Sequence, residues 1–180
     1  PIFKDLIIEK LLDLKEDGSF KLNMKYFNYA TGLTMTNNKF TKLFGNPVRD
    51  AKKDLLKEFH MDIAASIQAV TEEIVLRLTQ SISKDYNSKN LCLAGGVALN
   101  CVANGKILKE KVFENIWIQP AAGDAGGSLG AALAYLYHEL KMPRNEYKDQ
   151  MNGSYLGPKL DNNTIEEKLK NLKANYKKKN

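Results

Sequence analysis

The chain has 180 residues, 43% hydrophobic and 27% charged, with 12 Gly and 5 Pro, a composition that excludes wholesale disorder and fibrous repeats. Its length suits one domain with an appendage, or part of a larger domain, and suffices for a core without disulfide staples. The net charge is +6, yet residues 161–180 carry half of that excess, because Lys168, Lys170, Lys173, Lys177, Lys178 and Lys179 outweigh Asp161, Glu166 and Glu167. The diffuse remainder is no footprint for a phosphate backbone, so nucleic acid is not an expected partner.

No apolar run reaches the ~18 residues of a membrane span, and Pro1-Ile2-Phe3-Lys4 lacks the basic-then-apolar order of a signal peptide. A cytoplasmic protein with no membrane partner is expected. Cys92 and Cys101 have only His60 and His138 as metal-binding company, too few for a zinc cluster, and are expected as buried reduced thiols. A first residue other than Met, in text that reads as mid-helix, suggests an excised segment.

In chain order, Leu11–Leu14 and Phe20–Leu22 flank Asp17-Gly18, which predicts a β-hairpin. From Tyr26 to Asp50 the text is polar and turn-rich; within it Thr36 could cap a short helix carrying Phe40, Leu43 and Phe44. Ile63, Ile67, Val70, Ile74, Leu78 and Ile82 recur every three or four residues and predict a long amphipathic helix over Met61–Ser83. Two similar units follow. Asn90–Leu93 reads as a strand, Ala94-Gly95-Gly96 as a turn and Val97–Lys111 as a helix; then Asn115–Gln119 reads as a strand, Pro120–Ala125 as a loop and Gly126–Leu140 as a helix. This β-α-β-α succession predicts parallel strands whose two following loops meet at one carboxyl edge, bringing Gly95 and Gly96 near Asp124. Past Pro143 a polar linker leads to a Lys-rich helix with Leu160, Ile165, Leu169 and Leu172.

Two constellations could carry chemistry. Gly95-Gly96-Val97-Ala98-Leu99-Asn100 follows a strand and opens a helix, so backbone amides could approach an anion or nucleotide and Asn100 could hydrogen-bond a base or ribose. The same residues equally suit a tight strand–helix turn with Asn100 as its cap. The loop from Gln119 to Gly130 places glycines at 123, 126, 127 and 130 around one carboxylate, Asp124. Ala125 spoils a G-x-G-x-x-G pattern and no Walker lysine is present, which leaves Asp124 as a helix cap or as one ligand of a metal that bridges to phosphate. The helix from Ser128 to Leu140 is apolar nearly all round and is expected to be buried. His60 and His138 lack visible partners for a catalytic role, and Glu72-Glu73 is expected as a solvated helix face.

The run from Leu91 through Gly95-Gly96-Val97-Ala98-Leu99-Asn100 to Gly105, followed by Phe113 through Trp117-Ile118-Gln119-Pro120-Ala121-Ala122-Gly123-Asp124-Ala125-Gly126-Gly127, closely resembles the nodulation-type O-carbamoyltransferases. Asp17-Gly18-Ser19-Phe20, Thr31–Thr36, His60–Gln68 and Met151–Pro158 are similar to the same family. The resemblance implies an α/β fold, half of an actin-like ATPase (ribonuclease H-like) domain with a β-hairpin, a long helix and two parallel β-α units. It makes residues 1–150 the second half of the ATPase-like carbamoyltransferase domain. Residues 151–180 become a linker and Lys-rich helix leading toward a synthase-like domain. The implied reaction moves a carbamoyl group from carbamoyl phosphate, through an ATP-derived carbamoyl-adenylate, to a hydroxyl of a sugar or natural-product acceptor. Nucleotide contacts fall on Gly95, Gly96, Asn100, Gly123, Gly126 and Gly127, and a metal contact on Asp124. The metal, iron, manganese or magnesium, would be shared with a His-x-x-x-His motif that His60 and His138 do not form. Other halves of the same polypeptide are thus expected partners, as is a homodimer, and this segment alone is expected to be inactive. The alternatives are a protein like the tRNA threonylcarbamoyl transferases and a noncatalytic interaction module.

Overall fold

The computed structural model describes residues 1–144 and 151–179, in two compact units, Pro1–Gly126 and Gly127–Asn180. The first unit is organised around one helix. Its apolar stripe, recognisable from residue spacing, becomes α3 (Glu58–Asp85), 28 residues and therefore ~42 Å long at 1.5 Å per residue. Against it packs α1 (Lys4–Leu11), with Ile7 and Leu11 buried beside Val70 and Ile74. Phe44 of α2 (Asn38–Phe44) completes this core, and Phe3 sits edge-on to both Phe44 and Phe59. The cap of α2 is Asn37, whose side chain accepts from the Lys39 amide at 2.9 Å, and not the expected Thr36.

The hairpin forms as expected from β1 (Leu12–Leu14) and β2 (Phe20–Leu22), antiparallel with Asp13 opposite Lys21. Gly18 holds φ +86°, and a Cβ there would lie 2.4 Å from the Leu78 amide nitrogen, so only glycine lets the turn seat on α3. Arg77 fastens it by donating to the Lys15 carbonyl at 3.1 Å.

A second core gathers Leu91, Ile107 and Phe113 with Val75 and Leu76 of α3, which lie between the first core's Ile74 and Leu78 in sequence. Here β3 (Asn90–Leu93) and β4 (Asn115–Ile118) pair in parallel, as the β-α-β pattern requires, with Leu91 opposite Ile116 and Leu93 opposite Ile118. Their crossover is α4 (Cys101–Glu110), whose Ile107 is fully buried. The expected helix from Val97 to Lys111 is broken in two: a 3₁₀ turn spans Gly96–Leu99, and α4 restarts because the Asn100 side chain caps it. Both cysteines are exposed, contrary to expectation. Cys92 alternates with the inward Leu91 on a short strand, and Cys101 lies in the first turn of α4. Among the described residues the four strands form two separate two-stranded sheets, a mixed helix-and-sheet architecture that does not by itself make an actin-like half-domain.

In the second unit α5 (Gly127–Ala134) runs into a wider π turn at Tyr135–Glu139. None of the residues of α5 is buried, although its composition predicts a buried helix. Asp161 caps α6 (Asn162–Asn171) by accepting from the Thr164 amide at 2.8 Å, and Lys178 pairs with Glu166 at 2.5 Å. Among the described residues no helix is long and apolar enough to cross a membrane.

Candidate functional site

The carboxyl ends of β3 and β4 launch the two loops singled out from sequence, residues 94–100 and 119–126. Parallel pairing puts both at one sheet edge: Gln119 donates to the Leu93 carbonyl at the end of β3 at 3.1 Å, and one backbone bond, from Gly95 to the Ala122 carbonyl at 2.8 Å, joins the two loops. A Cβ on Gly123 would come within 4.0 Å of the Gly96 Cα, so the loops lie against each other. The convergence of Gly95, Gly96, Gly123, Asp124 and Gly126 is therefore a feature of the first unit. Gly127 opens α5 in the second.

The glycines have different reasons to be there. Gly126 closes its loop, since a Cβ would lie 2.1 Å from the Ala121 carbonyl oxygen while its own amide bonds the Gly123 carbonyl at 3.1 Å. Gly95 adopts φ +102°, a conformation that side chains disfavour. At Gly96 neither reason applies: its φ lies outside the positive range and a Cβ would meet nothing within 4 Å. Open backbone at the start of a turn whose first amides, those of Gly96 and Val97, carry no acceptor among the described residues fits a phosphate or sugar approaching closely. On the other loop, Gln119 Oε1 is buried without a hydrogen-bond partner among the described residues, an acceptor that a ligand donor would satisfy.

Asn100 is already engaged. Its Oδ1 accepts from the Ala103 amide at 3.1 Å, its Nδ2 donates to Gln68 Oε1 at 3.0 Å, and Gln68 Nε2 donates back to Oδ1 at 3.1 Å. Gln68 Nε2 also reaches Glu72 Oε1 at 2.8 Å, and Glu72 forms an ion pair with Lys106 of α4. Glu72 is 7% exposed, so the expected solvated face holds for neither acid: Glu73 is ion-paired to Lys4 and Arg77. The Lys106 ammonium, and then the Gln68 amide, hold the Glu72 carboxyl below the ordinary glutamate range. Lys4, then Arg77, do the same for Glu73.

Sequence reading thus missed Gln68, Glu72 and Lys106 as supports of the loop. Their one sequence signal is that Gln68 and Glu72 share a face of α3 at a spacing of four; the 32-residue separation to Asn100 is invisible locally.

Asp124 begins a 3₁₀ turn at Asp124–Gly126 and is exposed, and its carboxylate has no partner within the described residues. No group of three His, Cys, Asp or Glu side chains that could hold a metal exists among the described residues. The donor set present here does not fit a resident metal, because one carboxylate is too few ligands for a hard divalent ion. His60 Nδ1 accepts from the Lys57 amide at 2.9 Å at the start of α3, and His138 lies beside Glu139 at 3.1 Å in the second unit.

Residues 2–133 match the family model described as the carbamoyltransferase N-terminus. An uncharacterized protein of Synechocystis sp. is 60% identical over 171 residues, which is 94% of this chain and 28% of that protein. Nodulation protein NolNO of Sinorhizobium fredii is 40% identical over 164 residues, covering 91% of this chain and 22% of its own length. Nodulation protein NolO of Bradyrhizobium diazoefficiens is 44% identical over 103 residues, 57% of this chain and 18% of its own. The chain accordingly spans less than a third of the length of each of these relatives. With the matched segment containing the hairpin, α3, both parallel strands and both loops, the chain belongs to the carbamoyltransferase family, within the N-terminal region of that family.

Proposed function

We propose that this chain supplies one nucleotide-facing wall of an O-carbamoyltransferase. The observation that carries the reading is the joining of residues 94–100 and 119–126 at one sheet edge, through Gly95 and Ala122, inside a carbamoyltransferase match. In the proposed reaction a hydroxyl oxygen of a sugar or natural-product acceptor bonds to the carbamoyl carbon. The bond from that carbon to the adenylate phosphate oxygen breaks, AMP leaves, and the hydroxyl proton passes to a base. The adenylate arises from carbamoyl phosphate, ATP and water with release of phosphate and pyrophosphate.

The part assigned to this chain is binding and orientation. Gly95 and Gly96 admit the phosphates or ribose, and Asn100 contacts the ligand from its fixed position. Gly123 and Gly126 shape the facing loop, and Gly127 follows it. Neither histidine lies on these loops, so the base belongs to other residues. Asp124 is proposed as one ligand of a divalent ion completed by other segments of a longer polypeptide, in which residues 1–150 form the second half of an actin-like ATPase domain and residues 151–180 lead onward.

The test is transfer of radiolabelled carbamoyl from carbamoyl phosphate to a sugar acceptor by the longer polypeptide. Asp124→Asn keeps the size but loses the charge, and because the carboxylate has no partner among the described residues it should cut metal content and transfer by ~10–100-fold with folding nearly unchanged. Normal metal content and turnover in that variant would remove Asp124 from the site.

A further inference from the structure

We infer that Glu72 and Gln68 are positioning residues that set the direction of the Asn100 side-chain amide, so that Asn100 meets a ligand as a hydrogen-bond donor. The inference rests on the reading of residues 94–100 as a ligand loop.

The chemistry of each group leaves one consistent arrangement. An ionised Glu72 carboxylate only accepts, and it lies between two donors: the Lys106 ammonium, which only donates, and an amide nitrogen of Gln68. Gln68 must therefore turn its NH2 toward Glu72. The same nitrogen reaches Asn100 Oδ1 at 3.1 Å, which spends both of its hydrogens. Its Oε1 is left to accept from Asn100 Nδ2 at 3.0 Å.

At the far end the Ala103 amide, also only a donor, requires Oδ1 of Asn100 at 3.1 Å. Charge at one end and a helix amide at the other thus demand the same orientation of both amides. Turning either over would set donor against donor. With Oδ1 taken twice and one Nδ2 hydrogen given to Gln68, a single N–H of Asn100 remains. The ligand group that it can bind is an acceptor, such as a phosphate oxygen, a ribose oxygen or an unprotonated ring nitrogen, and not an amino group.

The charged groups around Glu72 are Lys106 from α4 and, more distantly, Lys4 from α1, with Glu73 adjacent on α3 and occupied by Lys4 and Arg77. Protonation of Glu72 converts the end of the relay from pure acceptor to a group that can also donate, and releases Gln68 to turn. Asn100, which does not touch Glu72, should register that event.

The experiment is an acid titration of the ¹⁵N-labelled chain followed by nuclear magnetic resonance. In the unaltered chain the side-chain amide signals of Gln68 and Asn100 and the backbone amide of Ala103 should move together with one midpoint, below the ordinary glutamate range. Glu72→Gln, which keeps the shape, should abolish that shared titration. Asn100 and Ala103 signals that stay still while those of Gln68 move would overturn the relay, as would an unchanged titration in Glu72→Gln. The donor role is read separately with magnesium-ATP as probe: Asn100→Asp keeps an acceptor for Ala103 but has no N–H, and should weaken binding at least about tenfold. Equal binding by Asn100→Asp overturns the donor role. An unaltered chain whose loop signals ignore magnesium-ATP overturns the ligand-loop reading and the donor role with it, while the acid titration still decides the relay.

Discussion

Gly96→Ala separates a glycine kept for the fold from one kept for a ligand. The methyl group would meet no atom within 4 Å, and the backbone there is not in the left-handed region, so alanine fits the folded chain without strain. Its main effect on folding is to reduce the freedom of the unfolded chain, worth about 0.4–1 kcal/mol of added stability. For a chain of this size that corresponds to a rise in Tm of roughly 1–4 °C. The same methyl projects where a ligand would approach the turn, and a loss of about tenfold in magnesium-ATP affinity, ~1.4 kcal/mol, is expected.

Gly126→Ala is the control with the opposite sign. Its Cβ would sit 2.1 Å from a backbone oxygen, and the forced shift of the loop should cost ~1–3 kcal/mol. Thermal unfolding, together with resonance titration by millimolar magnesium-ATP, measures both quantities for both variants. A Gly96→Ala chain that is destabilised, or that is stabilised yet responds to magnesium-ATP as before, would refute the argument that Gly96 is glycine for the sake of a ligand.

Ile107→Ala empties the fully buried centre of the second core and should cost ~2–5 kcal/mol in denaturant unfolding; a loss under ~1 kcal/mol would show that α4 does not anchor the parallel strands. Because Lys106 and Gln68 lower the pKa of Glu72, and Lys4 and Arg77 that of Glu73, the stabilisation from these carboxylates is fully present above their unfolded values. Unfolding experiments should therefore find stability level down to about pH 5 and falling as the pH drops through 4.5 and below, the fall being smaller in Glu72→Gln. Phe20, Ile67 and Val97 are all more than 40% exposed around an apolar cavity of about 400 Å³ in the first unit, so the isolated chain should associate with rising concentration. Light scattering that shows a strict monomer at high concentration would contradict this.

Much of the fold was legible because its signals are local. The spacing of Ile63, Ile67, Val70, Ile74 and Leu78 identifies α3, Asp17-Gly18 marks the hairpin turn, and two short apolar runs separated by a helical stretch identify β3 and β4. The meeting of Gly95 with the Asp124 loop followed from topology alone. What failed depends on residues far apart in the chain. Asn100 ends one turn and starts α4 with help from Gln68 on another helix, so the helix boundary was misplaced. Glu72 looks like a surface acid until α4 brings Lys106 over it. The exposure of α5 and of Cys92 depends on which layers cover them, a property that hydrophobicity in a window does not contain.

Titrating the ¹⁵N-labelled chain with magnesium-ATP decides whether residues 94–100 and 119–126 form one ligand wall. A single ligand wall, as proposed for this chain, would still bear the full cost of immobilising its ligand, so binding is expected to be weak, in the millimolar range. The backbone signals of Gly95, Gly96, Asn100, Gly123 and Asp124 should shift together and saturate at one concentration. Shifts confined to the lysines of residues 168–179, or no shift in either loop at saturating nucleotide, would contradict it.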